Sequence, residues 1–296
     1  MRRSRNNKYS TATRRNRNLM LCLVAASALA VTVSVAAQSR KDIHFTLAPG
    51  SSVNVVNQNG SITVHASSTR QLQVNATQAS NKVEIDGSQN GNRVTLRTHV
   101  LQKASGDEGR VDYDIALPSD TSLSIDSENG PIKIENVQGN VTVESDAGQV
   151  DITNVTNGTV QVQTLNAAVN LKDLKNSRVS VVSTGGTVHL TNVAGPKVSV
   201  ETTNGNISCE GDFAGGGSYT LTNHSGDIDV RVPANASVDL TARSVKGTVS
   251  NDFPFQKPQH LAFALTEGKS FAGTSNSGAS SIDLRSFSGK IRVTKQ

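Results

Sequence analysis

Apolar and polar residues alternate in short bursts for most of the chain, and the bursts recur. Ile132 and Ile134 alternate with Lys133 and Glu135, Val137 follows, and then Val141 and Val143 alternate with Thr142 and Glu144. The same figure returns as Val150, Ile152, Val155, Val160 and Val162, then as Val169, Leu171, Leu174, Val179 and Val181, and again as Val188, Leu190, Val193, Val198 and Val200. A period of two means strands, and β-branched residues dominate the inward positions. Each unit therefore predicts two short strands joined by a corner. The corner has its own column, Asn136, Asn154, Asp173, Asn192 and Asp212, whose short side chains suit bends and left-handed backbone.

A glycine opens each unit, at Gly130, Gly148, Gly186, Gly205, Gly226 and Gly247, with Ala167 in one place. The intervals are 18, 19, 19, 19, 21 and 21 residues. That spacing is too short for a folded domain and fits one coil of a stacked solenoid, in which no unit buries its apolar side alone. The fold expected is all-β, a single-domain β-solenoid (β-helix-like) spanning residues 43–296. A weaker form of the pattern runs upstream, in Gly60-Ser-Ile-Thr-Val, Gln71-Leu-Gln-Val, Lys82-Val-Glu-Ile and Arg93-Val-Thr-Leu. Two stretches interrupt it. Residues 102–110 read as a hairpin loop, and 251–280, with Pro254, Pro258, Phe253, Phe255, Phe263 and Phe271, reads as a capping excursion before a last coil at 281–296.

The chain starts differently. Met1 to Asn18 hold seven basic residues and no acid, and Leu19 to Ala37 is uncharged and mostly apolar. This is the layout of a signal peptide over residues 1–37, with Val35-Ala36-Ala37 predicting cleavage after Ala37. The alternative is an uncleaved membrane anchor, since the apolar run approaches the ~20 residues that span a bilayer. The chain is thus expected to be exported, as a periplasmic, cell-surface or secreted protein that meets a membrane only through this segment.

The net charge of +5 then changes meaning. Without residues 1–37 the 29 basic residues fall by 7 to 22 against 24 acids, a net of −2, and only ten aromatics are present. Nucleic-acid binding has no footprint here. Cys22 lies in the signal segment, so Cys209 is left without a partner for an intrachain disulfide, and it occupies an inward position matching Ile152 and Leu190.

The order of several phrases resembles a known family. They are Leu117-Pro-Ser-Asp-Thr-Ser-Leu-Ser-Ile, Ser127-Glu-Asn-Gly-Pro-Ile-Lys-Ile, Val232-Pro-Ala-Asn-Ala-Ser-Val-Asp-Leu and the closing Ile282-Asp-Leu-Arg-Ser-Phe-Ser-Gly-Lys-Ile-Arg-Val. Together they are similar to the bacterial putative-adhesin domain family of unknown function. The resemblance implies a secreted or envelope-exposed β-solenoid and brings no catalytic residues with it.

The outward columns carry the candidate chemistry. Lys133, Asp151, Asn170, His189, Ser208 and Asp229 form one, and Glu135, Thr153, Lys172, Thr191, Glu210 and Arg231 another. Both mix charges with small polar groups and lack the paired acids of a hydrolase. The nearest approach is Asp227 and Asp229 beside Glu210, with His189 two coils from Asp229, a separation of ~10 Å at the usual strand spacing. The six histidines show no metal-ligand spacing. No catalytic, metal or cofactor site is expected, and the chain is read as a non-enzyme, a carbohydrate-active enzyme being the further alternative. A third column, Thr142, Gln161, Ser180, Ser199, Thr220 and Asp239, is flat and short-chained, and is the candidate binding face. A glycan, or an envelope protein that the chain assists as a structural or stress accessory, is the expected partner.

Overall fold

The computed structural model describes residues 39–296 except 102, 103, 105, 212, 214, 215 and 258–262. The expected signal segment and its cleavage site, with Asp212, Pro258 and His260, lie outside the described residues. Among the described residues no helix is long and apolar enough to cross a membrane.

The chain opens with β1 (Ser39–Thr46), β2 (Ser52–Asn59), β3 (Ile62–Ser67), β4 (Gln71–Gln78), β5 (Val83–Asn90), β6 (Arg93–Val100), β7 (Val111–Pro118), β8 (Ser122–Asn129) and β9 (Ile132–Glu135). The regular coils continue as β10 (Val141–Ala147), β11 (Val150–Thr153), β12 (Thr159–Thr164), β13 (Val169–Lys175), β14 (Arg178–Ser183), β15 (Val188–Ala194), β16 (Lys197–Thr202), β17 (Ile207–Glu210), β18 (Ser218–Asn223) and β19 (Ile228–Val232). The chain closes with β20 (Val238–Ser244), β21 (Val249–Asn251), β22 (Ser270–Ser275), β23 (Ser280–Ser286) and β24 (Ile291–Lys295). A 3-10 turn, Gly106–Gly109, lies in the 102–110 connection.

These strands build two sheets. Sheet I runs β1-β4-β7-β3-β9-β11-β13-β15-β17-β19-β24-β21, and sheet II runs β22-β20-β23-β18-β16-β14-β12-β10-β8-β2-β6-β5. Each coil contributes one strand to each sheet, joined by the glycine turn, and the pairing between coils is parallel and in register. The solenoid is therefore realised. Its core lies between the sheets, where Ile132, Ile134, Val137, Val141 and Val143 of the first regular coil are buried, as are their counterparts onward. Each such side chain contributes about 1.5–3 kcal/mol of hydrophobic stabilisation.

The glycine repeat has a steric cause. A Cβ on Gly205 would lie 1.7 Å from the carbonyl oxygen of Gly186, and one on Gly130 would lie 2.1 Å from that of Gly60. The turns stack so tightly that each glycine's Cα rests on the carbonyl below. The corner asparagines also behave as expected. Asn136, Asn154, Asp173 and Asn192 have φ of 62°, 56°, 55° and 54°. Their side chains bond along the axis, Asn154 Nδ2 donating to Asn136 Oδ1 at 2.6 Å and Asn192 Nδ2 to Asp173 Oδ1 at 3.0 Å.

Inside the stack runs a buried polar column that the apolar pattern did not disclose. Asn57, Ser127, Ser145, Thr164, Ser183, Thr202, Asn223, Ser286 and Ser244 are all buried. Each stands three residues before the turn glycine, or before Ala167, and this fixed offset is the signal that would have found it. Thr202 Oγ1 donates to the Gly205 carbonyl at 2.8 Å, and the amide of Gly289 donates to Ser286 Oγ at 2.8 Å. At these coils the hydroxyls satisfy turn groups that the tight stacking hides from water, whereas Thr164 Oγ1 donates to Ser183 Oγ and Ser127 Oγ is buried with no partner among the described residues.

Two expectations need correction. The coil at 281–296 is last in sequence but not in space: β23 and β24 insert between β18/β19 and β20/β21. The end is instead formed by β21 and β22, with β22 running antiparallel on β20 and Phe253, Phe255 and Phe271 packed together beneath it. Upstream, the Gly60 phrase is a coil and the Arg93 phrase, in β6, also stacks parallel and in register on β2, as β7 does on β3, whereas the Gln71 and Lys82 phrases run antiparallel. β5 and β6 form an antiparallel hairpin across the Gly91-Asn92 turn, where Gly91 has φ 58°. β1 and β4 are likewise antiparallel strands that close the other end. Alternation predicts a strand in every case, but a two-residue turn reverses the chain where the stacked turn would continue it.

Candidate binding face

Sheet II presents two outward columns of side chains. The register aligns Thr95, Asn54, Ser124, Thr142, Gln161, Ser180, Ser199 and Thr220 on successive strands. Five of the six expected residues, Thr142 through Thr220, thus stand side by side. Asp239 does not follow Thr220. The inserted β23 puts Asp283 there, with Thr241 next, while Asp239 pairs with Ser281 and accepts a hydrogen bond from Thr274 Oγ1 at 2.9 Å. Chain order could not reveal this, because the last coil returns to an interior place.

The second column reads Arg97, Val56, Asp126, Glu144, Gln163, Val182, Glu201, Thr222, Arg285 and Arg243. Shallow cavities lie along the two columns. One of about 410 Å³ lies over Asn54, Ser124 and Thr142, and one of about 240 Å³ over Thr142, Gln161 and Ser180. Further along, cavities of about 490 and 590 Å³ adjoin at Arg285. Ten strands run from Thr95 to Thr241 inclusive, so the column is ~43 Å long at the usual spacing between strands.

The outer face of sheet I is different. Asp229 is gripped by the Arg292 guanidinium, whose Nη2 donates to Oδ2 at 2.7 Å, and Asp227 lies 3.8 Å from the same arginine. Hydrogen bonding and charge from Asp229 hold Arg292 above its ordinary pKa. Glu210 faces Arg231 at 3.4 Å. His189 is separated from Asp229 by the Ser208 strand, so the two do not meet. The acids weighed as a catalytic cluster are thereby paired with arginines. Among the described residues no group of His, Cys, Asp or Glu is placed to hold a metal. Cys209 is buried, and burial, with the nearby Glu210 charge, pushes its pKa up to about 12, so it stays a thiol.

A family model matches residues 51–294, most of the chain. The chain belongs to the Toastrack DUF4097 family. The two-sheet stack with one glycine turn per coil is thus the Toastrack architecture in this chain, and the resemblance read from its phrases holds. No curated protein matches the chain. Solved structures similar to this Toastrack chain include a putative adhesin from Bacteroides fragilis NCTC 9343, 11% identical over 86% of this chain and 97% of that one, with a TM-score of 0.46. Another is a putative cell adhesion protein from Clostridium sporogenes ATCC 15579, 11% identical over 87% of this chain and 100% of that one, with a TM-score of 0.31. A putative adhesin from Parabacteroides merdae ATCC 43184 is 11% identical over 87% and 96% of the two chains, with a TM-score of 0.36.

Proposed function

We propose that this Toastrack chain is an exported, non-catalytic binding module of the cell envelope or surface, which takes an extended glycan along the outer face of sheet II. The observation that carries the reading is the coincidence of the hydroxyl and amide column with the string of cavities at Thr142, Gln161 and Ser180. Regularly spaced, short polar side chains on a rigid sheet offer many weak hydrogen bonds to a polymer of hydroxyls and require little ordering on binding. Sheet I, with its acids neutralised by arginine, supports neither a polymer groove nor acid–base turnover.

A glycan array probed with the purified chain and with Ser180→Arg tests this. The arginine would stand in the middle of the column, and at least about a tenfold loss of retention is expected, from lost hydrogen bonds and a steric block. Thr191→Arg on sheet I should leave retention unchanged. An empty array, or equal retention by Ser180→Arg, sinks the reading. Protease shaving of whole cells, with intact-mass analysis showing a start near Gln38, tests the export half.

A further inference from the structure

We propose that the groove ends, over β20 and β23, in a subsite for a carboxylated sugar residue. This rests on the glycan-groove reading and adds what one end of the groove selects. The cavity there measures about 590 Å³ and is bounded by Thr241, Arg243, Asp283 and Arg285, with Val245 and Phe263 as an apolar wall. Its size falls among those of small-ligand sites, which combine an apolar lining with a few polar groups.

The charges in it do not balance. Parallel register places Arg243 directly beside Arg285, about 4.8 Å away strand to strand. Like charges opposite one another are unfavourable on a sheet. Asp283 compensates only one of them, accepting from both Nε and Nη2 of Arg285. The guanidinium of Arg243 is exposed and has no acid partner among the described residues. A planar carboxylate satisfies such a fork in bidentate fashion. The wall of Phe263 and Val245 suits the C–H face of a sugar ring, which a bare inorganic anion lacks.

The rest of the groove limits the ligand further. Asp126 and Glu144 are neighbours on adjacent strands, and Glu201 lies in the same column. None of the three has an ion-pair partner among the described residues. They would repel a continuous polyanion, so the glycan that fits is neutral along the column and acidic at the unit over Arg243.

The probe is sodium glucuronate, titrated into the purified full chain and followed by NMR, beside glucose and inorganic phosphate. Glucuronate is expected to bind at least about tenfold more tightly than glucose, the scale of one charge-assisted fork. Arg243→Gln, at an exposed position and checked by its melting curve, should remove that preference. Ser180→Arg should leave it intact, so a failure of the groove and a failure of the subsite register separately. No glucuronate binding, equal binding by Arg243→Gln, or phosphate bound as tightly as glucuronate would each overturn the subsite.

Discussion

The two outer faces of this solenoid share one backbone repeat, one strand spacing and one core, yet their chemistry is opposite. On sheet I many charges are answered on the same or a neighbouring strand, as in Arg292 with Asp229 and Asp227, Arg231 with Glu210, and Lys133 with Glu135 at 3.0 Å, and Asp151 accepts hydrogen bonds from Gln149 and Asn170, while Lys172 has no ion-pair partner among the described residues. On sheet II the middle of the face holds hydroxyls and amides beside acids that have no ion-pair partner among the described residues, and charged contacts occur towards its ends, Arg285 with Asp283 and the His99 imidazole 3.0 Å from Asp86. The repeat therefore dictates where side chains go and leaves open what they do. Function has to be sought in the departures from self-sufficiency, because a face that satisfies itself has little left to offer a ligand.

Changes to the shared interior should abolish that difference by abolishing both faces. The largest effect is expected from deleting residues 281–296. That removes β23 and β24 from between β18/β19 and β20/β21 and leaves two mismatched surfaces where parallel register had been. Loss of a cooperative thermal transition is the expected result. A deletion protein that melted like the parent would show that the coil is a terminal accessory after all. The true edge strands are β1 and β5 at one end and β21 and β22 at the other.

Next comes Gly205→Ala. The added methyl would sit 1.7 Å from the Gly186 carbonyl oxygen, and backbone on both sides has no room to yield. About 3 kcal/mol of destabilisation is expected, at the upper end of overpacking costs, with denaturant midpoints as the measure. A change below about 1 kcal/mol would mean that the stacked turns relax far more easily than their spacing implies.

The fold was readable because it repeats. Alternation, the glycine interval and the asparagine corner each encode one rule that every coil obeys, so an error in any one coil is corrected by the others. What escaped was whatever happens once. The return of β23 into the stack depends on a contact between residues some sixty positions apart, Thr220 with Asp283, and no local pattern announces it. It displaced Asp239 from the expected binding column and brought Arg285 beside Arg243. The buried hydroxyls at Thr202 and Ser286 escaped for another reason, because a polar residue at an inward position reads as an end of the strand unless its partner at the glycine turn is known. The binding column itself was legible as five stacked residues, while the cavities beside it belong to tertiary structure alone.

The smallest effect is expected where the contrast between the faces is most visible. Arg292→Ala removes the guanidinium that holds Asp229 and approaches Asp227, the densest ion pairing on sheet I. Both partners are well exposed, and water and salt screen an exposed pair, so the loss of stability should be only about 0.2–1 kcal/mol and should shrink in high salt. Glycan retention should not change, since the residue lies on the opposite face from Ser180. The freed carboxylates make the result informative in either direction. If retention fell, the ligand would have to reach sheet I, and the division of labour between the faces would be wrong. If stability fell by several kcal/mol, the ion pairs would be holding the stack together rather than quieting its surface. An effect confined to a small, salt-sensitive change in stability is the outcome consistent with a face whose charges serve one another.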